Sequence, residues 1–113
     1  MRLDKERLHD ILDAIDAIER HTPSGSNNFE QSELVRVWCL RHLELIGEAA
    51  SRLSEEVRGK AQSVPWRQMV GMRNALIHGY FDVNWKRVWT VIEQDLEPLK
   101  RTVQELLARI DSD

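Results

Sequence analysis

The sequence predicts an all-α chain: an antiparallel four-helix bundle, dimeric, with its last helix kinked or split near Pro98. Two observations lead there. Apolar residues recur at spacings of three and four over long stretches, the signature of amphipathic helices. The composition, 42% hydrophobic and 31% charged with only 5 Gly and 3 Pro in 113 residues, excludes a disordered or collagen-like chain and favours helix.

The first helix is expected from about Leu3 to His21, with Leu8, Ile11, Leu12, Ile15 and Ile18 on one stripe. The turn-rich segment Thr22-Pro23-Ser24-Gly25-Ser26-Asn27-Asn28 then breaks it and reads as a surface connection. A second, long helix follows from about Glu30. Its stripe is Val35, Trp38, Cys39, His42, Leu45, Ile46, Ala49 and Leu53, and Gly47 with Ala49 and Ala50 leaves room for close packing. Residues Ser54 to Ser63 are polar, contain Gly59 and read as a loop. Pro65 opens a third helix, where its fixed φ and missing N–H are tolerated, and this helix is expected to stop near His78. Gly79 suits the left-handed position beyond a C-terminus, and Asp82 or Asn84 can cap the helix that follows. The fourth helix carries Trp85, Trp89, Ile92, Leu96, Leu99, Val103, Leu106 and Ile110 in unbroken register. Pro98 lies within it, removes a backbone donor and crowds the Gln94 carbonyl, which predicts a kink or break between Asp95 and Pro98. No repeat, low-complexity tract or second domain is visible, so residues 1–113 read as one domain.

A chain of this size buries a modest fraction of its surface alone, and oligomerisation would help it. The single cysteine, Cys39, can form no intrachain disulfide and reads as a small buried hydrophobe in a reducing compartment. The N-terminus, Met1-Arg2-Leu3-Asp4-Lys5-Glu6-Arg7, is charged and lacks a following apolar core, and no stretch approaches the roughly 20 apolar residues that span a bilayer. A cytoplasmic location without membrane attachment is expected. The net charge of −3 argues against nonspecific coating of nucleic acid. A local basic groove remains open to the chain, because Arg36, Arg41, Arg67, Arg73, Lys86 and Arg87 gather in the middle of the sequence.

Several chemically suggestive patterns carry little. Cys39-x2-His42 is half of a zinc-site spacing with no second pair, so a packed helix face is the better reading and no metal is assigned. His9, His21 and His42 are scattered. Trp38, Trp66, Trp85 and Trp89 could stack bases, but at helical spacing they read as core or interface residues. There is no Gly-rich phosphate loop and no Gly-x-Ser-x-Gly elbow, and no cofactor is called for.

The stretch Arg73-Asn74-Ala75-Leu76-Ile77-His78-Gly79-Tyr80 is the chemical centre of the chain. It sets a permanent cation, an amide, a titratable imidazole and a phenol around one helix end. Arg presents a planar fork that matches phosphate oxygens, and His moves protons near neutrality, as a metal-free ribonuclease requires. At about 100° per residue, Asn74 and His78 fall within about 40° of each other while Arg73 projects about 140° from His78. Arg73 therefore needs its long stem, or a partner subunit, to converge on His78. Glu48, in the small-residue stretch of the second helix, could orient Arg73 or His78, or equally form a structural ion pair.

Arg-Asn-x3-His-x-Tyr at residues 73–80, preceded by Pro65-Trp66 and by Leu45-Ile46-Gly47-Glu48-Ala49-Ala50, resembles the HEPN superfamily, specifically the HepT-type toxins paired with minimal nucleotidyltransferase antitoxins. The resemblance covers nearly the whole chain, and no motif position departs from it. It implies a growth-inhibiting RNase, a homodimer in which two copies of the motif line one cleft, and transfer of AMP by the antitoxin to the motif tyrosine, here Tyr80.

The reaction that fits Arg73 and His78 is metal-independent RNA cleavage through attack of the ribose 2′-hydroxyl on the adjacent phosphate. His78 would take or give the proton, Arg73 would hold the charge developing on the phosphate, and Asn74 would orient it. Two other classes fit the same residues: a non-catalytic subunit that binds a nucleotide or a partner nucleotidyltransferase, and a structural helical dimer in which Arg73 and His78 are helix-end fixtures.

Overall fold

The computed structural model describes residues 2–71 and 82–112, apart from the side chains of Arg2, Gln68 and Ser112. Every regular element described is helical: α1 (Arg2–Arg20), α2 (Ser26–Gln31), α3 (Glu33–Ser51), α4 (Glu55–Gly59), α5 (Trp66–Val70) and α6 (Trp85–Ser112). They form a helical bundle in which α1 packs against α3 and α6, and α3 also receives α2 and α5. At about 1.5 Å per residue the 28 residues of α6 run about 42 Å, close to the 45 Å long dimension of the molecule. No helix among the described residues is long and apolar enough to cross a membrane.

The apolar stripes meet in one core. Leu8, Ile11, Ile15 and Ile18 of α1 face Cys39, Leu43, Ile46 and Ala50 of α3, and Val88, Leu96, Leu99, Val103 and Leu106 of α6 close the cluster. At about 25 cal/mol per Å² of apolar surface removed from water, this burial is the main force holding helices that are too short to persist alone. Among the described residues one charged side chain is buried beside it. The carboxylate of Asp4, buried near the start of α1, accepts from the Ser54 N–H and from the Ser54 hydroxyl, both at 2.8 Å. Ser54 in turn accepts from the Val57 N–H at 3.2 Å, so Asp4 fixes the cap of α4 across the chain.

Several expectations need correction. The connection after α1 is shorter than its composition suggests, because Ser26–Gln31 form a helical turn that carries the buried Phe29 against Trp85 and Trp89. The long second helix does not begin at Glu30. Ser32 adopts an extended conformation (φ −128°, ψ 113°) and its hydroxyl accepts from the Val35 N–H, which starts α3 afresh. Arg36 donates to the carbonyls of Phe29 and Glu30, at 3.2 and 2.8 Å, and so satisfies the orphan acceptors at the end of α2. The polar stretch after Ser54 is likewise a short capped helix, α4, rather than a loop.

Of the kink or break expected near Pro98, the break does not occur. Helix α6 is continuous through it, with Pro98 on the exposed face, where solvent can hydrate the carbonyl that lost its donor. Leu96 and Leu99 stay buried on the opposite face, and the unbroken apolar register outweighs the proline.

Candidate functional site

The motif segment lies between two fixed points. Before it, the Trp66 indole N–H is shared between the carbonyls of Arg58 and Ala61, at 3.1 and 3.0 Å, which ties the start of α5 to the α4 turn. Pro65 stands immediately ahead of that helix, and its carbonyl accepts the Met69 N–H at 3.0 Å. The helix opened there ends at Val70 with Gly71 as its C-cap, where the Gly71 N–H reaches the Arg67 carbonyl at 3.0 Å. Gly47 sets the depth of α5: a Cβ on it would stand 2.7 Å from the Met69 carbonyl oxygen, so α3 and α5 approach backbone to backbone.

After the segment, Asn84 performs the capping foreseen for it or for Asp82. Its side-chain oxygen accepts the Arg87 N–H at 3.1 Å, and its carbonyl accepts the Val88 N–H at 3.0 Å. Val88 is fully buried, so the first turn of α6 is held by both cap and core.

Arg73, Asn74, His78 and Tyr80 lie outside the described residues, as does the turn expected at Gly79; the single helix expected from Pro65 to near His78 is corrected, because α5 ends at Val70 and Gly71 caps it. Glu48 is described. It is exposed on α3 and pairs with Arg52 one turn on, at 3.3 Å, the structural ion pair named as one of its two roles; its relation to Arg73 and His78 lies outside the described residues.

The basic residues sort into two groups. Arg36 is held by the α2 carbonyls and lies 5.8 Å from the ring of Trp85, and Arg41 pairs with Glu44 at 3.6 Å. Arg67, Lys86 and Arg87 have no carboxylate partner among the described residues, so they are the described members of the central basic set left for a ligand. Arg58 joins them. It was hidden by reading Ser54–Ser63 as a loop, although Ser54 followed by Glu55 and Glu56 is a recognisable N-terminal signal with a basic residue in the last turn.

The remaining patterns resolve into packing. Cys39 is completely buried, and burial pushes its thiol from 9.0 up to about 11. His42 Nδ1 lies 2.8 Å from the Trp38 carbonyl oxygen, and the Trp38 ring sits between His21 and His42, with centroids 4.8 and 4.3 Å away. The Trp38 indole N–H donates to the Ala17 carbonyl at 2.9 Å, which joins α3 to α1. Trp66 is buried, and Trp85 and Trp89 are partly buried against Phe29.

Comparison with known proteins places this arrangement. The model of the family "Ribonuclease HepT-like" matches residues 11–106. The Methanocaldococcus jannaschii protein named "Putative RNase MJ1380" is 38% identical over 101 residues, covering 88% of this chain and 93% of that one. "Putative RNase TTE0752" from Caldanaerobacter subterraneus is 34% identical over 110 residues, 96% of this chain and 98% of the relative. "Probable ribonuclease HepT" from Thermococcus cleftensis is 33% identical over 106 residues, 93% and 96% of the two chains. No solved structure matches. With a family match over most of its length and relatives aligned nearly end to end, the chain belongs to the HepT-like ribonuclease family.

Proposed function

We propose that this chain is a metal-independent endoribonuclease and the toxin of a toxin–antitoxin pair, with Arg73 and His78 as its catalytic residues and Asn74 orienting the scissile phosphate. The observation that carries the reading is membership of the HepT-like ribonuclease family together with an intact Arg73-x4-His78 pattern. The anchoring of the segment's two ends, by Gly47 and Trp66 before it and Asn84 after it, supports the reading because charge stabilisation depends on donors held in place before the reaction begins.

The ribose 2′-oxygen attacks the adjacent phosphorus as His78 accepts its proton. The new O–P bond closes a 2′,3′-cyclic phosphate, the bond to the 5′-oxygen of the next nucleotide breaks, and that oxygen leaves with a proton as a free hydroxyl. Arg73 neutralises the extra negative charge on the phosphate oxygens between those events. In this reading residues 1–113 form one antiparallel four-helix domain that works in the cytoplasm as a homodimer, in which a second subunit offers the convergence on His78 that Arg73 otherwise needs its long stem to make. A nucleotidyltransferase antitoxin silences it by transferring AMP to Tyr80.

Incubation with single-stranded RNA in excess EDTA tests the activity. Wild-type protein should release fragments ending in cyclic phosphate and leave DNA of the same sequence intact. His78→Ala and Arg73→Ala should each lose about 100-fold or more in rate at unchanged helical content. Cleavage that requires a divalent ion, or that survives either substitution, refutes the mechanism; no cleavage by the wild type, with retained binding of a nucleotide or of the nucleotidyltransferase, assigns the chain to the non-catalytic class.

A further inference from the structure

Two arginines that form no ion pair among the described residues line one recess. Arg58 on α4 and Arg67 on α5 line an open hollow of about 530 Å³, together with Gln62, Glu55 and Val70. Many of the other described cations are tied down: Lys5, Arg7, Arg20, Arg41, Arg52, Lys60 and Lys100 each stand within 4 Å of a carboxylate. Arg58 and Arg67 have no such partner among the described residues, and Glu55, the one carboxylate on the rim, bonds to neither. Val70 is 40% exposed at the edge of the hollow, an apolar surface beside two phosphate-type donors and an amide.

The position of the hollow matters as much as its charge. Val70 precedes Arg73 by three residues, and three residues of chain span at most about 11 Å in any conformation. A polyanion gripped at Arg58 and Arg67 is therefore held next to the proposed scissile position by covalent connection alone. The grip is also rigid at its base, because the Arg58 carbonyl and the Trp66 indole N–H join α4 to α5 at 3.1 Å and hold the stems of both arginines in one frame.

We propose that Arg58 and Arg67 form a phosphate-binding subsite for single-stranded RNA, in which the two guanidinium forks hold backbone phosphates flanking the cleaved one, Gln62 reaches the sugar or base edge and Val70 packs against the nucleoside. The subsite deepens the ribonuclease reading and rests on it for its role in cleavage. Contacts of this kind position a strand without reading its sequence, so the subsite contributes affinity and register rather than a base preference. Glu55 tempers it by repelling the same phosphates.

The test measures binding separately from cutting. Fluorescence anisotropy with a labelled, fully 2′-O-methylated single-stranded RNA, which has no free 2′-hydroxyl to attack, reports affinity across a salt series; cleavage of the unmodified RNA reports KM and kcat. The double variant Arg58→Ala/Arg67→Ala should bind about 10-fold more weakly, and the slope of log affinity against log salt should shrink by about 1.4, the value for two phosphate contacts on a single strand. KM should rise with kcat held within about 2-fold. Arg58→Lys/Arg67→Lys should restore the salt slope, and Arg101→Ala/Arg109→Ala on α6 should change neither quantity. An unchanged salt slope in the Arg58/Arg67 double variant overturns the subsite even when the wild type cleaves RNA. A slope that falls as predicted in the double variant, with a wild type that does not cleave, upholds the subsite and refutes the ribonuclease reading, and a wild type that does not bind the RNA overturns the subsite outright.

Discussion

Gly47 of α3 lies against the backbone carbonyl of Met69 on α5, so close that a methyl group on Gly47 would stand 2.7 Å from the Met69 oxygen. The obstacle is backbone, which cannot rotate away as a side-chain tip would. In an ordinary helix Gly→Ala gains about 1 kcal/mol of propensity. Here overpacking, which costs about 1–3 kcal/mol, opposes that gain. Gly47→Ala should therefore lower stability by up to about 2 kcal/mol despite being a better helix former. It should also push α5, and with it the entry to the Arg73 segment, away from α3. We expect the RNA-cleaving rate to fall by more than the loss of folded protein explains, as measured by thermal unfolding and by single-turnover cleavage well below the melting temperature. A stabilised Gly47→Ala variant would show that the contact relaxes freely.

Gly47 also shows what the sequence makes legible. Its place in a small-residue stretch pointed to close packing, but the partner, a carbonyl more than twenty residues away, is a tertiary fact that no local pattern contains. The long stripes of α1, α3 and α6 were readable because one face of each is buried at helical period, and the Asn84 cap because its chemistry is local. Ser32 was missed as a helix start because the apolar register runs straight past it; its extended backbone is stabilised by Arg36 reaching back to Phe29 and Glu30. Pro98 misled in the opposite direction, since its local cost is real but falls on an exposed face of a helix held by its buried one. At the candidate site, residue chemistry and motif spacing pointed to Arg73, Asn74 and His78 and the family resemblance to Tyr80, all of which lie outside the described residues. The separation of free cations from paired ones required coordinates, because whether Arg41 meets Glu44 or Arg58 meets Glu55 is decided by side-chain geometry rather than spacing.

The outward face of α3 bears on the proposed dimer. Leu34, Val37 and Trp38 are 83%, 52% and 38% exposed within a single turn of helix, an unusual concentration of apolar surface for a subunit that works alone. Light scattering at micromolar concentration should give the mass of two chains. Leu34→Glu combined with Val37→Glu should give one chain of unchanged helical content and a fall in RNA cleavage, because the second motif copy is withdrawn. A monomeric wild type would remove the two-subunit cleft from the mechanism.

Cys39 provides an internal reporter. Its thiol is held neutral by burial, with its pKa raised from 9.0 to about 11. A thiol-specific reagent at pH 8 should scarcely label the native protein but label it fully in denaturant, so the labelling rate measures opening of the α1–α3 core. The pH dependence has a definite sign. Between about 9 and about 11 the unfolded chain has released the Cys39 proton and the folded chain has kept it, so this contribution to stability is complete below 9 and is lost as pH rises through that window. The difference between wild type and Cys39→Ala isolates the thiol. Equal pH slopes in the two proteins would mean that Cys39 is accessible.

Tyr80 carries the proposed regulation. It lies two residues beyond His78, which chain length alone keeps within about 7 Å, and two residues before Asp82, which is exposed. Its phenolic oxygen is a nucleophile that phenylalanine would lack. In the proposed step that oxygen attacks the α-phosphorus of ATP bound with Mg²⁺ on the antitoxin: the new O–P bond forms, the bond to the β-phosphate breaks, pyrophosphate leaves and the phenol proton passes to a base. The modified residue gains a phosphodiester charge and a nucleoside where the phosphates of RNA must enter, so substrate is opposed by like charge and by bulk together. Intact-mass and peptide mass spectrometry after incubation with the cognate nucleotidyltransferase and ATP should place AMP on Tyr80, with cleavage falling in step with occupancy. Tyr80→Phe should cut RNA at close to the wild-type rate and resist neutralisation by the same treatment. Modification of a different residue, or full neutralisation of Tyr80→Phe, would take the regulatory role away from this tyrosine.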